Sequence, residues 1–136
     1  MSSQANSVKL QTVIAARPGA IREALQSILA LSSRLEISGV ANGGLSALRL
    51  VRQLKPALVV IDSGLLEDEI AVLLEQIKEK QPQTRCLVMA ETTRQREAFL
   101  ALGTDAVVLR SEPTERLVEA LEKITLWLDQ AGHSET

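Results

Sequence analysis

Asp62 directly follows Ala57-Leu58-Val59-Val60-Ile61, the most hydrophobic short run of the chain. A carboxylate in that place has two readings. It starts the turn and helix that follow, as aspartate commonly does, or it stands as a functional group at the mouth of a sheet. Arg17, Glu91 and Arg110 likewise close short apolar runs. Their spacing matches none of the common catalytic or nucleotide-binding signatures. A dinucleotide fingerprint needs G-x-G-x-x-G after the first strand, and Ala16-Arg17-Pro18-Gly19-Ala20 holds a single glycine. No G-x-x-x-x-G-K-[ST] phosphate loop occurs. Gly44-Leu45-Ser46-Ala47-Leu48 lacks the second glycine of a nucleophile elbow. A lone cysteine, Cys86, excludes an internal disulfide and a cysteine zinc site, and a lone histidine, His133, argues against a catalytic triad. No enzymatic activity and no metal centre are expected.

The elements that must position these groups follow from length and periodicity. A chain of 136 residues fits one domain. With 46% hydrophobic and 24% charged residues it has the balance of a soluble globular protein. Phe99 and Trp127 are its aromatics and tyrosine is absent, so the core is aliphatic. A base-stacking nucleic-acid module needs exposed aromatics, and a net charge of -2 offers no basic footprint for phosphates. No apolar run reaches the length of a membrane span, and the N-terminus is polar, unlike a signal peptide. The expected setting is reducing and cytoplasmic. Positions 1–8 and 131–136 are polar and aperiodic and read as disordered tails, leaving 9–130 as the domain.

Within that domain a short apolar run and a longer amphipathic one alternate five times. Leu10 to Ala16 reads as a strand; Pro18 stands where a first helical residue would, and Ile21, Leu25, Ile28 and Leu29 share a helix face. Leu35, Ile37 and Val40 form the second strand. Asn42 reads as the N-cap of a helix carrying Leu45, Leu48, Val51 and Leu54, which Pro56 ends. The third strand, Ala57 to Ile61, precedes a helix with Ile70, Leu73, Leu74 and Ile77. Arg85 to Ala90 is the fourth strand, and Thr92 with Gln95 matches a capping box for a helix that stops at Gly103. Ala106 to Leu109 is the fifth, followed by a helix opened by Pro113 and carrying Leu117, Leu121, Ile124 and Leu128. Continuously apolar strands alternating with helices predict a parallel, doubly wound sheet in a three-layer α/β/α fold, with its site at the carboxyl ends of the strands.

From Thr12 to Thr125 the chain resembles the receiver domain of two-component response regulators, above all those with a LuxR-type output domain. The resemblance rests on Val13-Ile14-Ala15-Ala16-Arg17-Pro18, Arg22-Glu23-Ala24-Leu25, Val40-Ala41-Asn42-Gly43, Ala47-Leu48, Leu54-Lys55-Pro56-Ala57-Leu58-Val59-Val60-Ile61-Asp62, Gly103-Thr104-Asp105-Ala106 and Leu109-Arg110. It implies a flavodoxin-like (βα)5 fold with strand order 2-1-3-4-5, and it puts Asp62 at the phosphoacceptor position. Receivers carry an acidic pair after the first strand that binds magnesium together with this aspartate; here Ala16 and Arg17 stand there. The hydroxyl residue after the fourth strand is Ala90, the lysine after the fifth is Arg110, and the switch aromatic falls on Val107.

These departures set the functional expectation. Magnesium requires oxygen ligands, and metal assistance neutralises charge in phosphoryl transfer. Arginine, by contrast, favours two-pronged pairing with carboxylates. Magnesium binding is therefore expected to be weak or absent, with no cofactor. Asp62 is expected in a metal-free ion pair with Arg17, Arg110 or both, the alternative being that the arginines extend into solvent. The reading is a signalling pseudo-receiver that acts by protein–protein interaction. Its partner would be a histidine kinase or other signalling protein, with a homodimer also in view and no nucleic acid or membrane contact by this domain. One alternative is an atypical phosphorelay receiver still phosphorylated on Asp62; another is a flavodoxin-like module binding an anion or small molecule.

Some residues outside the strand ends carry further expectations. Trp127 lies about 80° from the core face of the last helix and Leu126 nearly opposite it, at 100° per residue; the two form a candidate interface. Arg94 and Arg96 oppose the dipole at the start of the fourth helix and read as a solvated face or an anion contact. Glu67, Asp68 and Glu69 suit the start of the third helix and are the carboxylates available to replace lost metal ligands. Cys86 reads as an inert strand residue and His133 as part of the tail.

Overall fold

The computed structural model describes residues 9–134. Five strands alternate with five helices: β1 (Leu10–Ala15), α1 (Ala20–Ala30), β2 (Leu35–Ala41), α2 (Gly44–Leu54), β3 (Leu58–Asp62), α3 (Glu67–Lys80), β4 (Arg85–Ala90), α4 (Thr93–Ala101), β5 (Ala106–Leu109) and α5 (Thr114–Ser134). The sheet runs in the order β2-β1-β3-β4-β5, and every pairing is parallel. This is the flavodoxin-like architecture expected from the alternating pattern and the resemblance.

The strand sequences explain the layers. Side chains alternate between the two faces of a strand, and both faces are covered. On one face Val13, Ala15, Val59, Ile61, Val88 and Ala90 join Val51, Ile70, Leu73, Ile77 and Phe99 from α2, α3 and α4. On the other, Ile14, Ala16, Leu58, Val60, Leu87 and Met89 meet Leu25 and Leu29 of α1 and Leu117, Leu121 and Ile124 of α5. Central β3 is buried at every position, whereas edge strands β2 and β5 are half-buried through most of their length. Each of the large aliphatic side chains withdrawn from water contributes about 1.5–3 kcal/mol. An Arg34–Asp129 pair, two-pronged at 2.7 Å, ties the chain before β2 to α5.

Several local readings shift. Asp62 is the last residue of β3, paired in register with Met89, rather than a residue beyond the strand. Pro18 precedes α1, whose cap is Gly19. Gly43 rather than Asn42 caps α2, because the Asn42 side chain accepts a hydrogen bond from Arg22. Pro56 does end α2: Lys55 leaves the right-handed region for φ 47°, ψ 58°. Gly103 follows α4 with φ +96°, the left-handed conformation that glycine tolerates best. The α5 backbone is helical through Ser134, so 131–134 is helix where a tail was expected. Positions 1–8, 135 and 136, which complete the expected tails, lie outside the described residues.

Candidate functional site

The carboxyl ends of β3, β4 and β5 lie side by side, and backbone pairing continues past them. The Ser63 amide donates to the Met89 carbonyl at 2.9 Å and the Arg110 amide to the Ala90 carbonyl at 2.8 Å. The loops after the three strands therefore leave the sheet together. Adjacent strands are ~5 Å apart, so a side chain from β5 must reach across ~10 Å to meet one on β3.

Arg110 makes that crossing. Its Nε donates to Asp62 Oδ1 at 3.1 Å and its Nη2 to Oδ2 at 2.6 Å. Asp62 Oδ2 also accepts the Gly64 amide at 3.0 Å. The Asp62 side chain is 4% exposed and that of Arg110 is 27% exposed, so the pair is shielded on the acid side and partly wet on the other. Arg110 Nη1 lies 3.5 Å from the half-exposed Glu91 carboxylate. Its hydrogen bonds to Asp62, aided by the charges of Asp62 and Glu91, raise the Arg110 pKa above its ordinary value against the opposing effect of desolvation.

The other strand-end positions are placed as follows. Ala16 and Ala90 are fully buried in opposite core layers. Arg17 is exposed and, among the described residues, forms no ion pair, so Arg110 rather than Arg17 supplies the pairing cation. Val107 is half-buried against the layer under α2, α3 and α4. Leu126 and Trp127 are 59% and 40% exposed on α5.

The acidic start of α3 is turned to other partners. Glu67 accepts from Gln95 Nε2 at 3.0 Å and Arg94 Nη2 at 2.7 Å, which holds its carboxyl below the usual range. Glu69 accepts from the Leu66 amide. Arg94 and Arg96 are not free cations: Arg94 pairs with Glu67 and Arg96 with Glu112. Thr92 caps α4 by accepting the Gln95 amide at 3.1 Å, but the Gln95 side chain accepts from the Glu91 amide at 2.8 Å, one residue before the cap. That exchange anchors the loop bearing Glu91 to α4. Among the described residues, no three His, Cys, Asp or Glu side chains gather as a metal-binding group. Cys86 is buried, which pushes its thiol pKa up to about 12.

Sequence reasoning misses Gly64 and Glu91 as partners in the site. The Ser63-Gly64 pair is legible as a turn, but the Asp62 side chain against which Gly64 lies is itself oriented by Arg110, 48 positions away.

No family model matches the chain. Response regulator protein VraR of Staphylococcus aureus is 29% identical over 106 residues, covering 76% of this chain and 50% of the relative. The signal receiver domain of the putative response regulator NarL from Mycobacterium tuberculosis superposes with a TM-score of 0.76 at 20% identity, over 87% of this chain and 97% of that one. The signal receiver domain of a putative Luxo repressor protein from Vibrio parahaemolyticus reaches a TM-score of 0.82 at 11% identity, over 95% and 99%. The chain has the fold of response-regulator receiver domains and is similar in sequence to a response regulator. The chain spans about half the length of the curated relatives it matches. Asp62, which the sequence resemblance puts at the phosphoacceptor position, has both of its oxygens facing the guanidinium of Arg110. No helix among the described residues is long and apolar enough to cross a membrane.

Proposed function

We propose that this receiver is a pseudo-receiver: a signalling interaction domain that works without magnesium-dependent phosphorylation of Asp62 and without enzymatic activity. The observation that carries the reading is the closed contact of Asp62 with Arg110, at 3.1 and 2.6 Å on the two carboxylate oxygens. Magnesium needs a set of oxygen donors. Ala16 supplies none, Arg17 adds a positive charge, and the oxygens of Asp62 are already engaged by a cation. These residues do not fit the ion that receivers use.

The switch parts support the same reading. Ala90 has no hydroxyl to follow a phosphoryl group, and Val107 is a small side chain, stiff at χ1, in place of a ring that turns. What remains is a folded domain with exposed apolar side chains that other proteins can contact. A histidine kinase or another signalling protein is the partner the similarity to response regulators supports, and the exposed Leu126–Trp127 pair supports a homodimer through α5, since tryptophan is enriched at interface hot spots.

Titration of the whole chain with magnesium and beryllofluoride, followed by amide NMR, tests the proposal. No saturable change at Asp62, Gly64 and Glu91 is expected. Saturable binding there would overturn the reading in favour of an atypical receiver phosphorylated on Asp62.

A further inference from the structure

The clasp on Asp62 depends on room as well as charge. Gly64 lies directly against it, with its amide donating to Asp62 Oδ2. A Cβ at position 64 would stand 2.7 Å from Asp62 Oδ2 and 3.2 Å from Arg110 Nη2. The first distance is too short for a carbon atom to stand without a shift, and the second requires the guanidinium to give by a few tenths of an ångström. Gly64 is not among the residues with positive φ, which are Lys55, Gly19 and Gly103. Its lack of a side chain therefore serves space and not backbone freedom.

The same guanidinium touches two other loops. Arg110 opens the loop after β5, Asp62 ends β3 with Gly64 in the loop that follows, and Glu91, 3.5 Å from Arg110 Nη1, opens the loop after β4. Glu91 is held in turn by the Gln95 side chain. One cation thus bridges three strand ends.

We infer that Gly64 is the positioning residue of this site: by leaving out a Cβ it admits the Arg110 guanidinium onto Asp62, and the resulting clasp holds the loops after β3, β4 and β5 in a single arrangement with no bound ion. The inference rests on the pseudo-receiver reading and adds to it the device that fixes the site. Any side chain at position 64 forces Asp62 to turn away, because its oxygen is the nearest atom and the backbone beneath it is locked in β3 by pairing with Met89.

A double-mutant cycle on the whole chain, Gly64→Ala against Arg110→Met, tests this without metal or phosphoryl analogue. Gly64→Ala alone should raise the unfolding equilibrium constant by about tenfold. In the Arg110→Met background the same change should have less than about a twofold effect, because Asp62 is then free to turn aside. Amide exchange at Leu65 and Glu91 should quicken by about tenfold or more in each single variant. Additive effects on unfolding, or unchanged exchange at Leu65 and Glu91 in Gly64→Ala, would overturn the role of Gly64. Should Arg110→Met fail to give the native circular dichroism spectrum, Arg110→Lys serves in the cycle: it keeps a charge and loses the two-pronged contact. Magnesium and beryllofluoride binding to the unaltered chain is a separate measurement, so failure of the clasp and failure of the pseudo-receiver reading are distinguishable.

Discussion

Removing either partner of the Asp62–Arg110 pair should destabilise the protein by unequal amounts, and the inequality follows from exposure. Breaking a buried pair from one side costs about 3–5 kcal/mol, because the remaining charge is left without compensation. In Arg110→Met that charge is the Asp62 carboxylate, 4% exposed, which keeps the Gly64 amide as a donor at 3.0 Å. The Arg110 side chain is 27% exposed, so water already screens part of the pair, and the expected cost falls to about 2–3 kcal/mol. In Asp62→Asn the orphan is Arg110 instead, which keeps Glu91 and its access to water. Asparagine also still accepts a hydrogen bond, so the expected cost is about 1–2 kcal/mol. With a urea dependence of about 1.5 kcal/mol per molar for a chain of this size, the midpoint should fall by roughly 1.3–2 M in Arg110→Met and roughly 0.7–1.3 M in Asp62→Asn. Urea unfolding monitored by far-ultraviolet circular dichroism measures both. If Asp62→Asn proves the costlier change, or if Arg110→Met moves the midpoint by less than about 0.3 M, the buried-carboxylate reasoning is wrong.

Other parts of the fold give further expected outcomes. The Cys86 thiol, pushed up to about 12 from 9.0 by burial, should resist iodoacetamide at pH 8 in the native protein and react once urea unfolds it. A raised folded pKa contributes stability below the unfolded value and loses it as pH rises, so wild type should lose stability faster than Cys86→Ala above pH 9.0. Gly103→Ala should cost about 1 kcal/mol or more by urea unfolding, since φ is +96° and the new Cβ would meet Lys78 Nζ at 2.8 Å. Sedimentation velocity should show a concentration-dependent dimer that Leu126→Glu disperses; a wild-type chain that stays monomeric at high concentration removes the proposed α5 interface.

The fold was legible because its signals are local and repeated. The continuous apolar run before Asp62 marks a strand covered on both faces, and β3 is buried throughout. Amphipathic spacing named the core faces of α1 and α5, whose Leu25, Leu29, Leu117, Leu121 and Ile124 lie in one layer. Caps were less legible, since a cap depends on which competing partner a side chain finds. Asn42 bonds to Arg22 and leaves the cap to Gly43, while Gln95 reaches past Thr92 to the Glu91 amide. In the site, the resemblance supplied the positions and chemistry supplied the expectation of an arginine on Asp62. Choosing between Arg17 and Arg110 required the arrangement of strand ends, because the pair spans 48 residues. Gly64 carried no sequence signal beyond a turn: its importance is a 2.7 Å distance to an atom of another residue.

The departures from the receiver pattern form a consistent electrostatic set. A carboxylate as buried as Asp62 needs a compensating cation or a full complement of donors. In the proposed pseudo-receiver, Ala16 and Arg17 stand where an acidic pair would hold a metal as that cation. Arg110 supplies the charge from inside the chain, and its planar fork matches both oxygens of one carboxylate, whereas an ammonium acts as a point charge. A fork that size must lie against the loop after β3, and Gly64 leaves the room. Each feature thus has a physical reason given the others, and aspartate at position 62 has a structural role of its own: with a neutral apolar residue there, Arg110 would lose both of its hydrogen bonds to that side chain and the three loops their common anchor.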